Sequence, residues 1–168
     1  MRIAFAGLVM PCKGAELLIH ALSLLRSDGI PFSCAIAGDT LDPGYVQSLK
    51  EQTARHGFAA QVSFLGYQSR ERLIQLYRTH NVLAFPTMIN ETFDISQVEA
   101  MAAGLVHQQR QRRRPEVVEH GLSGPAFESG NAVALSQALA SLPANPSRWQ
   151  PARPRRTAAR RRSPGTGI

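Results

Sequence analysis

Apolar residues along this chain form short runs that alternate with longer segments in which they recur every three or four positions. Each short run is followed or closed by a glycine or proline, which is typical of buried strands. The runs cover residues 2–7, 32–37, 62–65 and 82–85. The longer segments have the periodicity of amphipathic helices. They cover residues 13–26, 44–56, 69–79, 95–103 and 132–142.

Strands that alternate with helices predict βαβ units and a parallel sheet covered on both faces. We therefore expect a three-layer α/β domain of Rossmann-like type. Ligands of such folds bind beyond the carboxyl ends of the strands. The loops that would form this edge cover residues 7–14, 38–43, 66–69 and 86–95.

Two acidic residues belong to the last of these loops and to the helix that follows it. Glu91 precedes the helix, for which Asp94 is a candidate N-cap, and Glu99 leans toward the packing side one turn after Ile95. Two carboxylates beside a helix N-terminus could accept hydrogen bonds from the vicinal hydroxyls of a sugar, while the helix favours phosphates. Two solvated surface glutamates would have the same spacing, so this pattern alone leaves both interpretations open.

The net charge of +7 comes from two arginine-rich segments. Residues 1–106 carry eight Lys/Arg against nine Asp/Glu, and ten of the remaining arginines lie in residues 107–114 and 151–168. We expect at most weak, sequence-blind contact of these segments with nucleic acid or an anionic membrane.

Cys12 and Cys34 lack metal-type spacing and indicate two reduced thiols. With no long apolar run and no leader-like start, we expect a cytoplasmic protein, with peripheral attraction to the inner membrane face as a second expectation.

Several motifs together resemble one enzyme family. ETFDISQVEAMAAG is similar to the Glu-x7-Glu signature of the group 1 retaining glycosyltransferases, which have the GT-B fold and use nucleotide-sugars. Five further segments occur in the family's order: FAGLVMPCKGAELLIHAL, CAIAGDT, VSFLGYQSRERLIQLY, NVLAFPTMINE and PEVVEHGLSG. The resemblance extends over about residues 2–143 and is to the C-terminal, donor-binding half of these enzymes.

This resemblance implies a role for several residues. Glu99 would hold the ribose hydroxyls of the donor, and Glu91 would contact the transferred sugar or stabilise charge at its anomeric centre. Lys13 would neutralise the diphosphate of the leaving group. Gly66 and Tyr67 would lie against the nucleobase. No metal or other cofactor is expected, because basic side chains and helix dipoles take that part.

The chain also departs from the family pattern. Leu8 stands where the family usually has arginine, which removes one charge-assisted contact to phosphate. Between Gly104 and Pro115 the family has an apolar strand and a glycine pair, but here HQQRQRRR follows Val106. One set of codons for these residues, read one base later, encodes Ile-Ser-Ser-Gly-Asn-Ala-Gly-Gly. We therefore hypothesise compensating frame changes, and a further one in the tail.

We expect residues 1–146 to form a nucleotide-sugar-binding domain and residues 147–168 a disordered basic tail. Because the resemblance begins at the first strand of the C-terminal half, we expect the N-terminal acceptor-binding domain of the family to be missing. The expected function is transfer of a hexosyl group from a nucleotide-sugar to a glycan or lipid-linked acceptor in polysaccharide biosynthesis, impaired in this chain alone. The alternative is a non-catalytic nucleotide-binding remnant, or the donor half of a split enzyme with a separate acceptor domain.

Overall fold

A computed structural model of the chain describes residues 1–89, 99, 106–110 and 126–142. The described residues contain one sheet of six strands, all paired in parallel, in the order β3-β2-β1-β4-β5-β6. The strands are β1 (Arg2–Ala6), β2 (Ser33–Ala37), β3 (Val62–Gly66), β4 (Val82–Phe85), β5 (Val106–Arg110) and β6 (Ala126–Phe127). The helices are α1 (Ala15–Ser27), α2 (Pro43–Arg55), α3 (Arg70–Thr79) and α4 (Ala132–Ala140).

The two faces of the sheet are covered by different helices. Ile3 and Phe5 of β1 join a core cluster with residues of α1, α2 and α4, whereas Ala4 and Ala6 join a second cluster with Leu76 of α3. Neighbouring residues of a strand point to opposite faces, so β1 and β2 contribute four alanines, Ala4, Ala6, Ala35 and Ala37, to the second face, here called the alanine face. The sequence-based expectation of a parallel sheet with helices on both faces is confirmed.

Local capping groups define where the helices begin. Asp42 caps α2 by accepting a hydrogen bond from the backbone of Tyr45 at 3.1 Å, and Asn131 caps α4 through the backbone N–H of Ala134 at 2.9 Å. The predicted helices over 44–56, 69–79 and 132–142 are therefore confirmed to within a few residues. The helix predicted over 13–26 begins later, at Ala15, because Pro11–Lys13 forms a separate 3-10 turn.

The arginine-rich segment contributes to the sheet. The backbone of β5 pairs with β4 from Val106 to Gln109, at the place where the resemblance predicts a strand. The hypothesis of frame changes concerns the identity of these side chains and stays a hypothesis. Of the predicted helix over 95–103, the structure describes only Glu99, which has a helical backbone. The predicted basic tail, residues 147–168, lies outside the described residues.

The described cysteines and histidines lie in the core, on the surface or at helix ends. Both cysteines are free, with Cys34 buried in the core and Cys12 half-buried. His20 is exposed on α1, and His56 and His80 directly follow α2 and α3. Among the described residues, none of the helices combines the length and hydrophobicity needed to span a bilayer.

Candidate functional site

The loops that leave the carboxyl ends of β1 to β4 form one continuous surface. Backbone hydrogen bonds join neighbouring loops: Val9 N to Asp39 O at 2.8 Å and Gly38 N to Gly66 O at 2.8 Å. A third, from Met88 N to Cys12 O at 2.8 Å, joins the β1 loop to the β4 loop. Four loops far apart in sequence therefore meet at the predicted edge of the sheet.

Glycine permits the closest of these approaches. A Cβ atom built on Gly38, whose φ is +155°, would lie 1.7 Å from the carbonyl oxygen of Gly7. Such a separation is far below a van der Waals contact, so any side chain at this position would push the first two loops apart. The close approach brings the β1 and β2 loops together on one side of the candidate cleft.

Lys13 lies at the end of the 3-10 turn that immediately precedes α1. Gly14 follows it with φ +78° and forms the N-cap of the helix. The backbone of Lys13 therefore lies next to the first N–H groups of α1 and the partial positive charge of its N-terminus. This position suits a group that neutralises an anion. The half-buried Leu8 in the same loop adds no hydrogen-bond donor from its side chain.

The loop after β3 presents an aromatic side chain. Tyr67 is 75% exposed directly after Gly66, the last residue of β3. The loop itself is held by Gln68, whose Nε2 group donates to the carbonyl oxygens of Leu65 and Tyr67, each at 2.8 Å. A fixed loop with an exposed ring could stack against a flat ligand such as a nucleobase. The geometry would be the same if Gly66 only ended the strand and Tyr67 were an exposed tyrosine that contacts no ligand.

Glu99 is brought to this same loop from a distant part of the chain. Its Oε1 atom accepts a hydrogen bond from Nε of Arg70, the first residue of α3, at 3.1 Å. The two residues are 29 positions apart. The Glu99 side chain is 19% exposed and that of Arg70 is 76% exposed. A half-buried carboxylate therefore lies beside the β3–α3 loop, at the carboxyl edge of the sheet, where it could accept further hydrogen bonds from ligand hydroxyls.

Comparison with a family model decides what this arrangement belongs to. Residues 2–162 match the family of glycosyl transferases group 1. The chain belongs to this family.

Curated relatives of this group 1 glycosyl transferase chain carry one recurrent name. A D-inositol 3-phosphate glycosyltransferase of Mycolicibacterium gilvum is 32% identical over 143 residues, which cover 83% of the chain and 31% of the relative. The enzyme of the same name from Jonesia denitrificans is 34% identical over 106 residues, covering 61% of the chain and 25% of the relative. The chain thus spans about a third or less of the length of these relatives.

Solved structures have the same architecture. Anabaena HepE in complex with UDP and glucose superposes with a TM-score of 0.72 at 28% identity, covering 81% of the chain and 36% of HepE. The crystallised C-terminal domain of the group 1 protein LpcC from Francisella tularensis matches with a TM-score of 0.72 at 19% identity, covering 83% of the chain and 73% of that domain. The latter likeness concerns the fold alone.

Within this glycosyl transferase chain, the structure brings Glu99 to Arg70, which follows the β3–α3 loop that contains Tyr67. Gly66 ends β3 directly before this loop, and Lys13 belongs to the β1 loop of the same edge. Glu91 lies outside the described residues, so the predicted convergence of two carboxylates stays a prediction. The same holds for the capping role of Asp94.

Arg70 is the site residue that sequence reasoning missed. Its position after the N-cap Ser69 is visible in the sequence, but an arginine at the first turn of a helix is normally read as a solvated charge. Its contact with Glu99 joins the start of α3 to a residue 29 positions later, and no local pattern encodes that contact. Among the described residues, no cluster of three His, Cys, Asp or Glu side chains could hold a metal ion.

Proposed function

We propose that this chain binds the nucleotide-sugar donor of a hexosyltransferase at the carboxyl edge of its sheet. The observation that carries the proposal is the placement of Glu99 beside the β3–α3 loop, through its hydrogen bond to Arg70. A carboxylate there can accept two hydrogen bonds from vicinal ribose hydroxyls, and Tyr67 of the same loop can stack on the base. HepE, the relative crystallised with UDP and with UDP-glucose, makes a uridine nucleotide the first ligand to test.

We propose the division of roles that the family resemblance implies. Lys13, at the start of α1, neutralises the diphosphate as negative charge develops on the leaving group. Glu99 holds the ribose, and Glu91 contacts the transferred sugar. We propose that the reaction uses no metal, because Lys13 and the helix dipole supply the positive potential that a metal would otherwise provide.

We propose a glycan or lipid-linked acceptor, as in polysaccharide biosynthesis in the cytoplasm. The shared name of the curated relatives adds D-inositol 3-phosphate as a second acceptor class to be tested. The described residues at this edge are proposed to contact the donor, so they favour neither acceptor class. Both acceptor classes therefore belong in the same assay.

A separate acceptor-binding domain would complete the active site. Large apolar side chains are exposed at the carboxyl edge beside the proposed nucleotide site, and we propose that such a domain covers them. They are Leu41, Leu65, Met88 and Ile89. Apolar groups exposed together in this way are typical of an interaction surface. By this proposal the chain alone transfers little sugar, and an acceptor domain supplied in trans restores transfer.

Isothermal titration with UDP and with GDP tests donor binding directly. We expect UDP to bind, and Glu99→Gln to weaken UDP binding by about 10- to 100-fold, because a hydrogen bond to a charged acceptor contributes roughly 1.5–3 kcal/mol. Glu51→Gln is the matched control, since Glu51 is exposed on α2 and is bonded to Gln47 of the same helix. Failure of both nucleotides to bind, or unchanged UDP affinity in Glu99→Gln, would contradict the proposal.

The alternative is a nucleotide-binding remnant without transfer. Leu8, which replaces a phosphate-contacting arginine of the family, favours this alternative. Incubation with radiolabelled UDP-glucose, both acceptor classes and an added acceptor domain separates the two. Transfer only in the presence of that domain supports the donor half of a split enzyme, whereas UDP binding without any transfer supports the remnant.

A further inference from the structure

We propose that Arg70 is a positioning residue of the donor site, which holds the Glu99 carboxylate in the orientation that receives the ribose hydroxyls. This inference rests on the proposed function, because it concerns the same ligand and the same carboxylate. It adds a residue whose role follows from a tertiary contact.

The contact leaves most hydrogen-bonding positions of the Arg70 guanidinium and the Glu99 carboxylate available. Nε of Arg70 donates one hydrogen bond to Oε1 of Glu99 at 3.1 Å. A guanidinium group has five N–H donors and a carboxylate has about four acceptor positions, so one bond restricts the carboxylate without saturating it. The carboxylate can therefore accept ligand hydroxyls while the arginine continues to hold it.

Arg70 and Glu99 differ in exposure, and this difference indicates which of the two side chains the pair orients. The Glu99 side chain is 19% exposed, whereas that of Arg70 is 76% exposed. A carboxylate withdrawn from water depends on its protein partners for hydrogen bonds. The exposed arginine keeps access to water when the pair is absent. The pair therefore orients Glu99 more than it orients Arg70.

Arg70 is attached to a well-anchored part of the fold. It is the first residue of α3, and Ser69 caps that helix by accepting a hydrogen bond from the backbone of Arg72 at 3.4 Å. Farther along α3, Leu76 and Tyr77 pack into the alanine face of the sheet. A side chain that starts from a capped, packed helix can hold a partner more firmly than one on a free loop.

A positioning role and a purely structural role of Arg70 predict different effects on stability and on ligand affinity. An ion pair with one highly exposed partner contributes little to folding, so removing Arg70 should leave the unfolding temperature nearly unchanged. A flexible glutamate must be ordered when ligand binds, and ordering one such side chain changes a Kd by about 3- to 10-fold. Only a ligand that bonds to Glu99 experiences this loss.

The test compares two ligands and several variants by isothermal titration. UDP carries the ribose hydroxyls, and 2′,3′-dideoxy-UDP lacks them. We expect Arg70→Ala to weaken UDP binding about 3- to 10-fold and to leave dideoxy-UDP binding unchanged. Arg70→Gln, which keeps much of the side-chain length, should give the same pattern and guards against a folding defect in the alanine variant. Arg78→Ala is the matched control, because Arg78 is an exposed arginine in the last turn of the same helix.

A double variant completes the test. In a Glu99→Gln background, Arg70→Ala should cause no further loss of UDP affinity, because its effect acts through the carboxylate. Additive losses, equal losses for both ligands, or unchanged UDP affinity in Arg70→Ala would each overturn the positioning role. If wild-type protein binds no UDP, the proposed function fails as well, whereas UDP binding with an unaffected Arg70→Ala variant overturns this inference alone.

Discussion

Gly14 lies against the backbone of Pro86, so closely that a Cβ atom built on the glycine would be 2.1 Å from the proline carbonyl oxygen. This contact joins the start of α1 to the loop after β4, across the point where the strand order of the sheet changes direction. The hydrogen bond from Met88 N to Cys12 O supports the same junction. The position of Lys13 therefore depends on the β4 loop as much as on its own.

The first prediction concerns this junction. Gly14→Ala should destabilise the protein by about 1–3 kcal/mol more than Gly57→Ala, because it adds a steric clash to backbone strain. Gly57 is the matched control: its φ of +73° is similar, but the nearest atom to a Cβ there is Arg26 Nε at 4.0 Å. Urea unfolding of both variants measures the difference, and equal losses would show that the contact with Pro86 relaxes without cost.

The second prediction concerns Lys13. Lys13→Met should weaken UDP binding by about 10- to 100-fold and leave uridine binding unchanged, because only UDP carries the diphosphate. Lys50→Met is the control, since Lys50 lies on α2 with its ammonium 5.8 Å from the centroid of the Phe64 ring. Titration calorimetry with both ligands measures the effect. An equal loss for uridine would place Lys13 away from the phosphates.

The third prediction concerns the two thiols. Burial raises the pKa of Cys34 from 9.0 to about 12, and its side chain is only 3% exposed. A thiol-specific reagent at pH 8 should therefore modify Cys12 in the native protein and reach Cys34 only after denaturation. The Cys12→Ser variant should show no rapid modification. Rapid reaction of both thiols in native wild-type protein would contradict the burial of Cys34.

Ionisation of Cys34 also affects stability at high pH. Since the folded protein raises the pKa of Cys34 above its ordinary value, the unfolded chain loses the proton first as pH increases. The contribution of this thiol to stability is thus complete below pH 9.0 and is lost as pH rises toward about 12. A Cys34→Ala variant should lose less stability over this range than wild type, as measured by urea unfolding at each pH.

The fourth prediction concerns His80 at the end of α3. Burial lowers its pKa below 6.5, although a hydrogen bond of 2.8 Å between its Nδ1 and the Leu76 carbonyl acts in the opposite direction. The unfolded state binds the proton more readily, so the contribution of His80 to stability is complete above pH 6.5 and decreases as pH falls through the folded pKa. Urea unfolding between pH 5 and pH 7.5 should show a smaller decrease in His80→Asn than in wild type. The exposed His20→Asn should retain the wild-type decrease, and an identical profile for all three proteins would refute the prediction.

The fifth prediction concerns the alanine face beneath α3. Ala35 is paired with Ser63 across β2 and β3, but Ala35 is buried in the cluster under α3 whereas Ser63 is exposed. Ala35→Leu should destabilise the protein by about 1–3 kcal/mol, because a larger side chain would displace the helix. Ser63→Leu should have little effect. Thermal unfolding of both variants compares them, and similar midpoints would indicate space between α3 and the sheet.

Local sequence signals predicted the elements because their causes are local. Glycine or proline closes the first four strands, and Asp42, Ser69 and Asn131 cap helices whose starts were predicted within a few residues. The late start of α1 escaped prediction, because the 3-10 turn at Pro11–Lys13 and the left-handed Gly14 depend on the contact with Pro86. The motif order indicated the family, which the comparison with its model confirmed.

Periodicity and motif spacing by themselves determined the order of strands and helices, the parallel sheet and the edge at which a ligand would bind. Only the tertiary structure decided that α3 lies on an alanine face, that the backbone of Val106–Arg110 joins the sheet, and that Arg70 meets Glu99. Periodicity and caps act within a few residues, whereas these contacts arise when separate elements are packed on one sheet. The sequence could therefore name Glu99 as a candidate, but the partner that holds it became visible only in the folded chain.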